Sequence, residues 1–467
     1  MDFIGLLVSQ PTGLWHSIIY WFSSFIGSYG WTIILFTVCL KLVLSPLDFL
    51  QKSSMRKTQR QQALLKPELD KIKEKYGNNK EMVNQKTMEL YSKNKINPAG
   101  GCLPMLVSLV VTMVVFFTLF SAMNSISQYK IQEEYEKLSA TYVENLEYYQ
   151  TNFVADSEIT ITREGQTYTY NQIVDLATEE FNTNQQDGSY TVGETTFTNV
   201  NDYVDAEISA ARMMLAQDKV LEKYNEIKEG WLWVKNIYRP DNYSSTFPSY
   251  SEFSTMTGNN LYAVKTEEGT ENKYYYKSID GTTYYLTDNT DTNKTVLEQA
   301  KIQGEADFNN ITLSVRSEYS SWNGYFILIL LAGLSTVLGQ LLANVGAKAK
   351  LKNGEQVNVG ANTNKIMLIV MPAIMIWFTW SYSALFALYI VVNSLMSVLI
   401  GYVVNLIINK TDAKSQVKEL QKISLKEPSP RQNKSVVASD IAREDYKIEK
   451  KGKIIEEKQD KKNKGDK

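Results

Sequence analysis

Five long apolar runs interrupt an otherwise polar chain: 29–48, 103–123, 324–344, 366–382 and 384–408. As helices they cross about 30 Å of hydrocarbon, the fourth being short. The pattern predicts membrane-spanning helices over 29–49, 102–124, 322–344, 366–382 and 384–408. Before the first run, residues 12–27 are aromatic and amphipathic, which predicts an external interfacial helix within residues 1–28. The plainer alternative is an N-terminal extension of the first span. Between the first two runs, residues 50–101 are polar and helix-prone. Apolar positions Leu65, Leu69, Ile72 and Tyr76 recur at helical spacing, and Gly77-Asn78-Asn79 breaks the pattern. This predicts a cytoplasmic helical hairpin. Pro104 suits the first turn of the next helix.

The segment 125–321 is long enough for a small domain. A helix is expected at 129–150, alternating stretches at 160–170 and 190–197, a second helix at 203–236, and a hairpin at 274–286 turning at Asp280-Gly281. No catalytic pattern stands out in it. The fold class expected is an all-α membrane protein with five transmembrane helices and a cytoplasmic helical hairpin, plus an inserted extracellular α+β domain. A loop at 345–365 and a polar, Lys-rich tail at 409–467 complete the chain. The tail is expected to be disordered or weakly helical.

Charge sets the orientation. Residues 49–99 carry 12 Lys and Arg against 5 Asp and Glu; residues 125–321 carry 15 against 32. Residues 345–365 carry 4 against 1, and the tail 17 against 11. Positive segments stay cytoplasmic, so the N-terminus and 125–321 are expected outside, the hairpin and tail inside. That alternation requires an odd number of spans, in agreement with five. The first 28 residues lack a basic start and a cleavage site, so no signal peptide is expected. With one histidine and two cysteines in the whole chain, metal and cofactor chemistry is not expected.

Lys41 stands alone inside the first apolar run. A cation there costs about 2.5–3.5 kcal/mol on insertion scales. It could snorkel, since Asp48 marks an end of the run about 10 Å away, or it could serve a wet cavity. Polar residues share its helical spacing: Thr37 with Lys41, Ser108 with Thr112, Thr336 with Gln340 and Asn344, Asn393 with Ser397. These could be interhelical glue or the lining of a hydrophilic cavity. The several stripes around one unpaired cation favour the cavity.

Taken together, several segments resemble the YidC-type membrane protein insertases. They are Gly30-Trp31-Thr32-Ile33-Ile34, then Thr37, Lys41 and Pro46-Leu47; Lys66-Pro67-Glu68-Leu69 with Ile72 and Lys75-Tyr76; and Asn97-Pro98-Ala99-Gly100-Gly101-Cys102-Leu103-Pro104. Trp231-Leu232-Trp233-Val234-Lys235-Asn236 with Arg239-Pro240-Asp241 resembles the family's external stretch before the third span. Met371-Pro372 and Leu388-Tyr389 with Asn393 resemble its last two spans. The departures are Lys41 where the family has Arg, Ser108 where many relatives have Gln, Ser381-Tyr382-Ser383-Ala384 for a Pro-Ala-Gly turn, and the long acidic insertion.

The resemblance implies an insertase, not an enzyme: a bundle holding a hydrophilic groove that receives the polar segments of incoming membrane proteins. Groove residues would be Lys41, Thr37, Ser108, Thr112, Gln340, Asn393 and Ser397. The hairpin, with Arg56, Arg60, Pro67, Glu68 and Tyr76, would receive the client. No cofactor is implied. Nascent membrane proteins are the implied partners, with membrane lipids around the bundle; a Sec translocon is left open. The tail either docks a ribosome or only solubilises, and the sequence favours neither. Two other classes stay in view: a membrane-anchored surface protein working through 125–321, and a small-solute transporter. Deleting 125–321 is expected to spare an insertase and abolish a surface protein.

Overall fold

The computed structural model describes residues 10–93, 103–256, 274–279, 282–286, 291–348 and 361–424. The chain divides into two units at Asn405/Leu406. The contacts below lie within the first. The described part is mostly helical.

Helix α1 (Leu14–Ile26) ends at Gly27, whose φ of 79° closes the helix with its N–H on the Ser23 carbonyl. That left-handed residue separates α1 from α2, so α1 is a distinct helix and not an extension of the first span. It packs on its neighbours through buried Ile19, through Trp15 and Phe22 against Phe36, and through a Trp15 Nε1 donation to Thr118 Oγ1 at 2.9 Å.

Helix α2 (Tyr29–Tyr76) is one element of 48 residues, about 72 Å at 1.5 Å per residue. Its apolar half is the first predicted span, and its polar half is the first arm of the hairpin. Pro46 has no N–H for the Leu42 carbonyl; Ser45 Oγ donates to that carbonyl instead, at 2.8 Å. The break at 77–79 falls where the sequence predicts it. Asn79 caps α3 (Lys80–Lys93) by accepting from Met82 N at 3.1 Å.

Helix α4 (Leu103–Ala155) runs 53 residues, through position 124 without interruption. Its first half is the second apolar run. Its second half packs with α6 (Val200–Ile227) and α8 (Asp291–Glu318). The core there is aromatic: Tyr135, Phe253 and Phe308 meet at centroid distances near 5 Å. Strands β1 (Thr160–Arg163) and β2 (Gln166–Thr169), β3 (Tyr190–Val192) and β4 (Thr195–Phe197), and β5 (Tyr274–Lys277) and β6 (Thr283–Leu286) form three separate antiparallel hairpins. They decorate a helical core together with α5 (Tyr170–Asn184) and α7 (Tyr250–Met256). The expected turn at Asp280-Gly281 lies outside the described residues. The helix expected over 203–236 stops at Ile227, and residues 228–249 form an irregular loop.

Helices α9 (Ile327–Lys348), α10 (Ala361–Ser381) and α11 (Ala384–Ser424) follow. Among the described residues three helical stretches are long and apolar enough to cross a membrane: Tyr29–Ser54, Leu106–Ala155 and Ala384–Ile408. The apolar stretches of α9 and α10, Ile327–Leu341 and Leu368–Ser381, are shorter. The first two turns of α11 are the bundle's centre, with Ala384 through Val391 all buried. A ring cluster of Phe116, Phe120, Phe378, Tyr382 and Phe386 joins it to α4 and α10.

Candidate functional site

Apart from Ser108, the predicted polar positions inside the apolar helices whose side chains are described fall into two groups. The first satisfies itself within its own helix. Thr37 is fully buried and donates to the Ile33 carbonyl at 2.6 Å. Thr336 donates to Ala332 O at 2.7 Å, and Ser397 to Asn393 O at 2.7 Å. The second group has no protein partner among the described residues: Lys41, Thr112, Gln340 and the Asn393 side chain. Lys41, Gln340 and Asn393 are half-buried, whereas Thr112 lies on the open surface of α4. No carboxylate stands within ion-pair distance of Lys41 among the described residues.

One hydrogen bond of the predicted set crosses between helices. Ser108, 4% exposed, donates from Oγ to Gln51 Oε1 at 2.9 Å and ties α4 to α2. Gln51 escaped the sequence reading because it lies beyond the apolar run. So did Lys52, which stands against α11: a Cβ added at Gly401 would lie 2.7 Å from Lys52 Nζ. Lys41, Asp48 and Lys52 are seven and eleven residues apart, so at 100° per residue they share one face of α2. Helix α9 approaches α11 at Gly339, 3.5 Å from Val398 Cγ2 by the same construction. Thus α2 touches α4 and α11, and α9 touches α11. Lys41 is not bonded directly to Ser108, Gln340 or Asn393.

Of the hairpin positions, Arg56, Arg60 and Pro67 fall within α2, but their side chains lie outside the described set. Glu68 is exposed and Tyr76 is half-buried at the turn. Asn344's side chain and residues 94–102, with the Asn-Pro-Ala-Gly-Gly-Cys stretch, also lie outside the described residues. Cys39 is a free thiol on α2. Among the described residues no cluster of His, Cys, Asp or Glu is placed to hold a metal.

The starts of α2, α9 and α11 and the end of α10 converge on one loop, Glu229–Asn242. A helix start leaves four backbone N–H groups without partners, and a buried start must find them. Those of Ala384 and Leu385 on α11 donate to the carbonyls of Arg239 (2.8 Å) and Ile237 (3.0 Å), while Phe386 and Ala387 use Ser383 O. Asp241 caps α9: its Oδ1 accepts from Tyr325 N at 2.9 Å and its Oδ2 from Leu328 N at 2.7 Å. Asn242 Nδ2 donates to Trp380 O, near the end of α10, at 2.9 Å. Tyr29 N, at the start of α2, donates to Glu229 Oε1. Asn236 Nδ2 reaches Glu134 on α4 at 3.1 Å. Burial and the nearby Glu229 carboxylate push the Tyr238 phenol well above its ordinary range.

Two segments far apart in sequence meet here. Gly30 lies so close to the Trp231 ring that no Cβ fits, and Gly324 lies equally close to the Asp241 carboxylate. Sequence reasoning placed 228–241 beside the spans by resemblance alone; that its carbonyls and carboxylates cap them has no sequence-pattern signal.

The 60Kd inner membrane protein family model matches residues 21–192 and 292–412. Among curated relatives, a membrane protein insertase YidC of Fusobacterium nucleatum subsp. nucleatum is 46% identical over 101 residues, 22% of this chain and 45% of that protein. One of Leptospira interrogans is 47% identical over 99 residues, 21% of this chain and 14% of its own length. One of Nitratidesulfovibrio vulgaris is 40% identical over 134 residues, 26% and 23% respectively. The matches thus span less than half the length of each of these relatives. No solved structure is significantly similar. With its apolar helices, these likenesses make the chain a bacterial membrane protein. It belongs to the 60Kd inner membrane protein family, the family of the YidC membrane protein insertases.

Proposed function

We propose that this chain is a membrane protein insertase that receives the hydrophilic segment of a client in a groove around Lys41. The carrying observation is a half-buried ammonium in an apolar helix, with Asp48 on the same face but no carboxylate within ion-pair distance among the described residues. The side chains of Gln340 and Asn393, also half-buried, have no protein partner among the described residues either. Polar groups at membrane depth need partners or water. Glue would pair the stripes across helices, yet among the described residues of the predicted set Ser108 alone does so, through Gln51. Unpaired polar atoms at this depth favour a wet groove. A client's polar tail entering it exchanges bulk water for these groups and for Lys41, which lowers the barrier to crossing. The client's apolar helix then leaves into lipid, and its burial drives the step.

In this reading five helices span the membrane. The N-terminus and 125–321 lie outside, and the hairpin and tail lie in the cytoplasm, where the hairpin meets the client. The loop Glu229–Asn242 closes the outer end, because its caps occupy the external helix termini. Photo-crosslinkers at 340 and 397 should trap the polar tail of a stalled single-span client. One at Val43, 75% exposed, should trap lipid. Equal client capture at all three positions would refute the groove.

A further inference from the structure

At the outer seam lies a cavity of about 310 Å³ between α4, the loop, α7 and the turn from α10 to α11. Arg239 lines it and is only 2% exposed. Its Nε donates to Ser245 O at 3.2 Å, and its Nη2 donates to both Glu252 oxygens at 3.0 and 3.1 Å. A guanidinium has five N–H donors. The two on Nη1 have no acceptor among the described residues. They are open to an acceptor placed in the cavity, which would complete the guanidinium's hydrogen bonds. Glu252, 44% exposed, also lines the cavity. Its Oε2 takes Ser249 as well, which leaves acceptor capacity on Oε1. The cavity therefore presents a cationic donor edge beside an anionic acceptor edge, neutral in sum.

Its level is set by its walls. Asn124 follows the second apolar run and Trp380 lies two residues before the end of the fourth. Tyr243 and Trp380, ring centroids 5.8 Å apart and both exposed, sit where aromatic side chains meet lipid headgroups. We propose that this cavity binds the headgroup of a zwitterionic, amine-bearing phospholipid, its phosphate on Nη1 of Arg239 and its ammonium on Glu252. A purely anionic headgroup would place its charge near the Glu252 carboxylate with nothing to offset it. This site is separate from the Lys41 groove and stands whether or not the insertase reading does.

The test is thermal unfolding of the purified full-length protein in a maltoside detergent, with short-chain phosphatidylethanolamine or phosphatidylglycerol added at equal concentration. Phosphatidylethanolamine should raise the midpoint by several degrees more than phosphatidylglycerol. Glu252→Gln keeps an acceptor for Arg239 but removes the negative charge, and should erase that difference. Arg239→Lys should abolish both shifts if it folds; Glu252→Gln decides the matter if it does not. Equal shifts by the two lipids, no shift by either, or a preference that survives Glu252→Gln would each overturn the proposal.

Discussion

Glu134 is fully buried on α4, with Asn236 as its hydrogen-bond donor and the Tyr224 hydroxyl also bonded to Asn236. Burial, then the neighbouring Glu229 and Glu133, raise its pKa to about 8, while Asn236 and Lys130 pull the other way. The unfolded chain releases this proton near the ordinary value of 4.5. The folded state therefore holds more protons between those values, and stability falls as pH rises from about 4.5 to about 8. The full loss is on the order of a few kcal/mol. Glu134→Gln should flatten this slope in chemical unfolding followed from about pH 5 to 8. A variant that keeps the native slope would show that the charge is carried elsewhere. Lys41 is the opposite case. Its type and position were legible because a cation in an apolar run is rare. That it stands without a salt-bridge partner was also read from the sequence; which helices surround it, α4 and α11 against α2, needed the structure.

At the scale of elements, α2 and α4 show what periodicity can and cannot give. Apolar runs located both spans, and Gly77-Asn78-Asn79 located the hairpin turn, because turn chemistry is local. That α4 continues unbroken from its apolar half into the core it shares with α6 and α8 was not legible: a change from apolar to polar sequence marks a change of surroundings, not the end of a helix. The helix α8 was missed for a related reason, since its polar positions obscure a buried face of Ala300, Phe308, Ile311 and Val315. Two predictions belong here. Gly30→Ala drives a methyl into the Trp231 ring and should lower thermal stability by about 1–3 kcal/mol; an unchanged midpoint would mean the two elements do not pack. Lys52→Gln and Gly401→Ala should each reduce insertion of a client with an acidic tail. The double variant should lose no more than either single one, because both act on the same ammonium. Additive losses would separate the two positions.

At the scale of the molecule, the insertion and the bundle share the loop Glu229–Asn242, which supplies partners to the starts of α2, α9 and α11 and to the end of α10. Composition marked 125–321 as a separable acidic domain, but removing all of it would strip those caps, so that deletion cannot separate an insertase from a surface protein. A narrower cut can. The end of α4 lies against α6, with Tyr149 and Phe153 packed in one cluster with Ala211 and Leu215. Replacing 156–199 by a short Gly/Ser linker removes β1 to β4 and α5 and keeps the loop. The cut also takes Ile161 and Ile173 out of that cluster and should lower thermal stability, but insertion should stay within about two-fold of native, since the loop and its caps remain. Loss of insertion with normal folding would place function in the distal lobe.

The most direct test is rescue of an insertase-depleted bacterium by this chain, by Lys41→Ala and by Lys41→Arg. Insertion of a single-span client with an acidic external tail would be scored by protease protection at matched expression. Rescue by the native chain and by Arg, with loss in Ala, is the predicted result. Rescue by all three would reduce Lys41 to a snorkelling side chain and contradict the groove; failure of all three at normal expression would contradict the insertase itself.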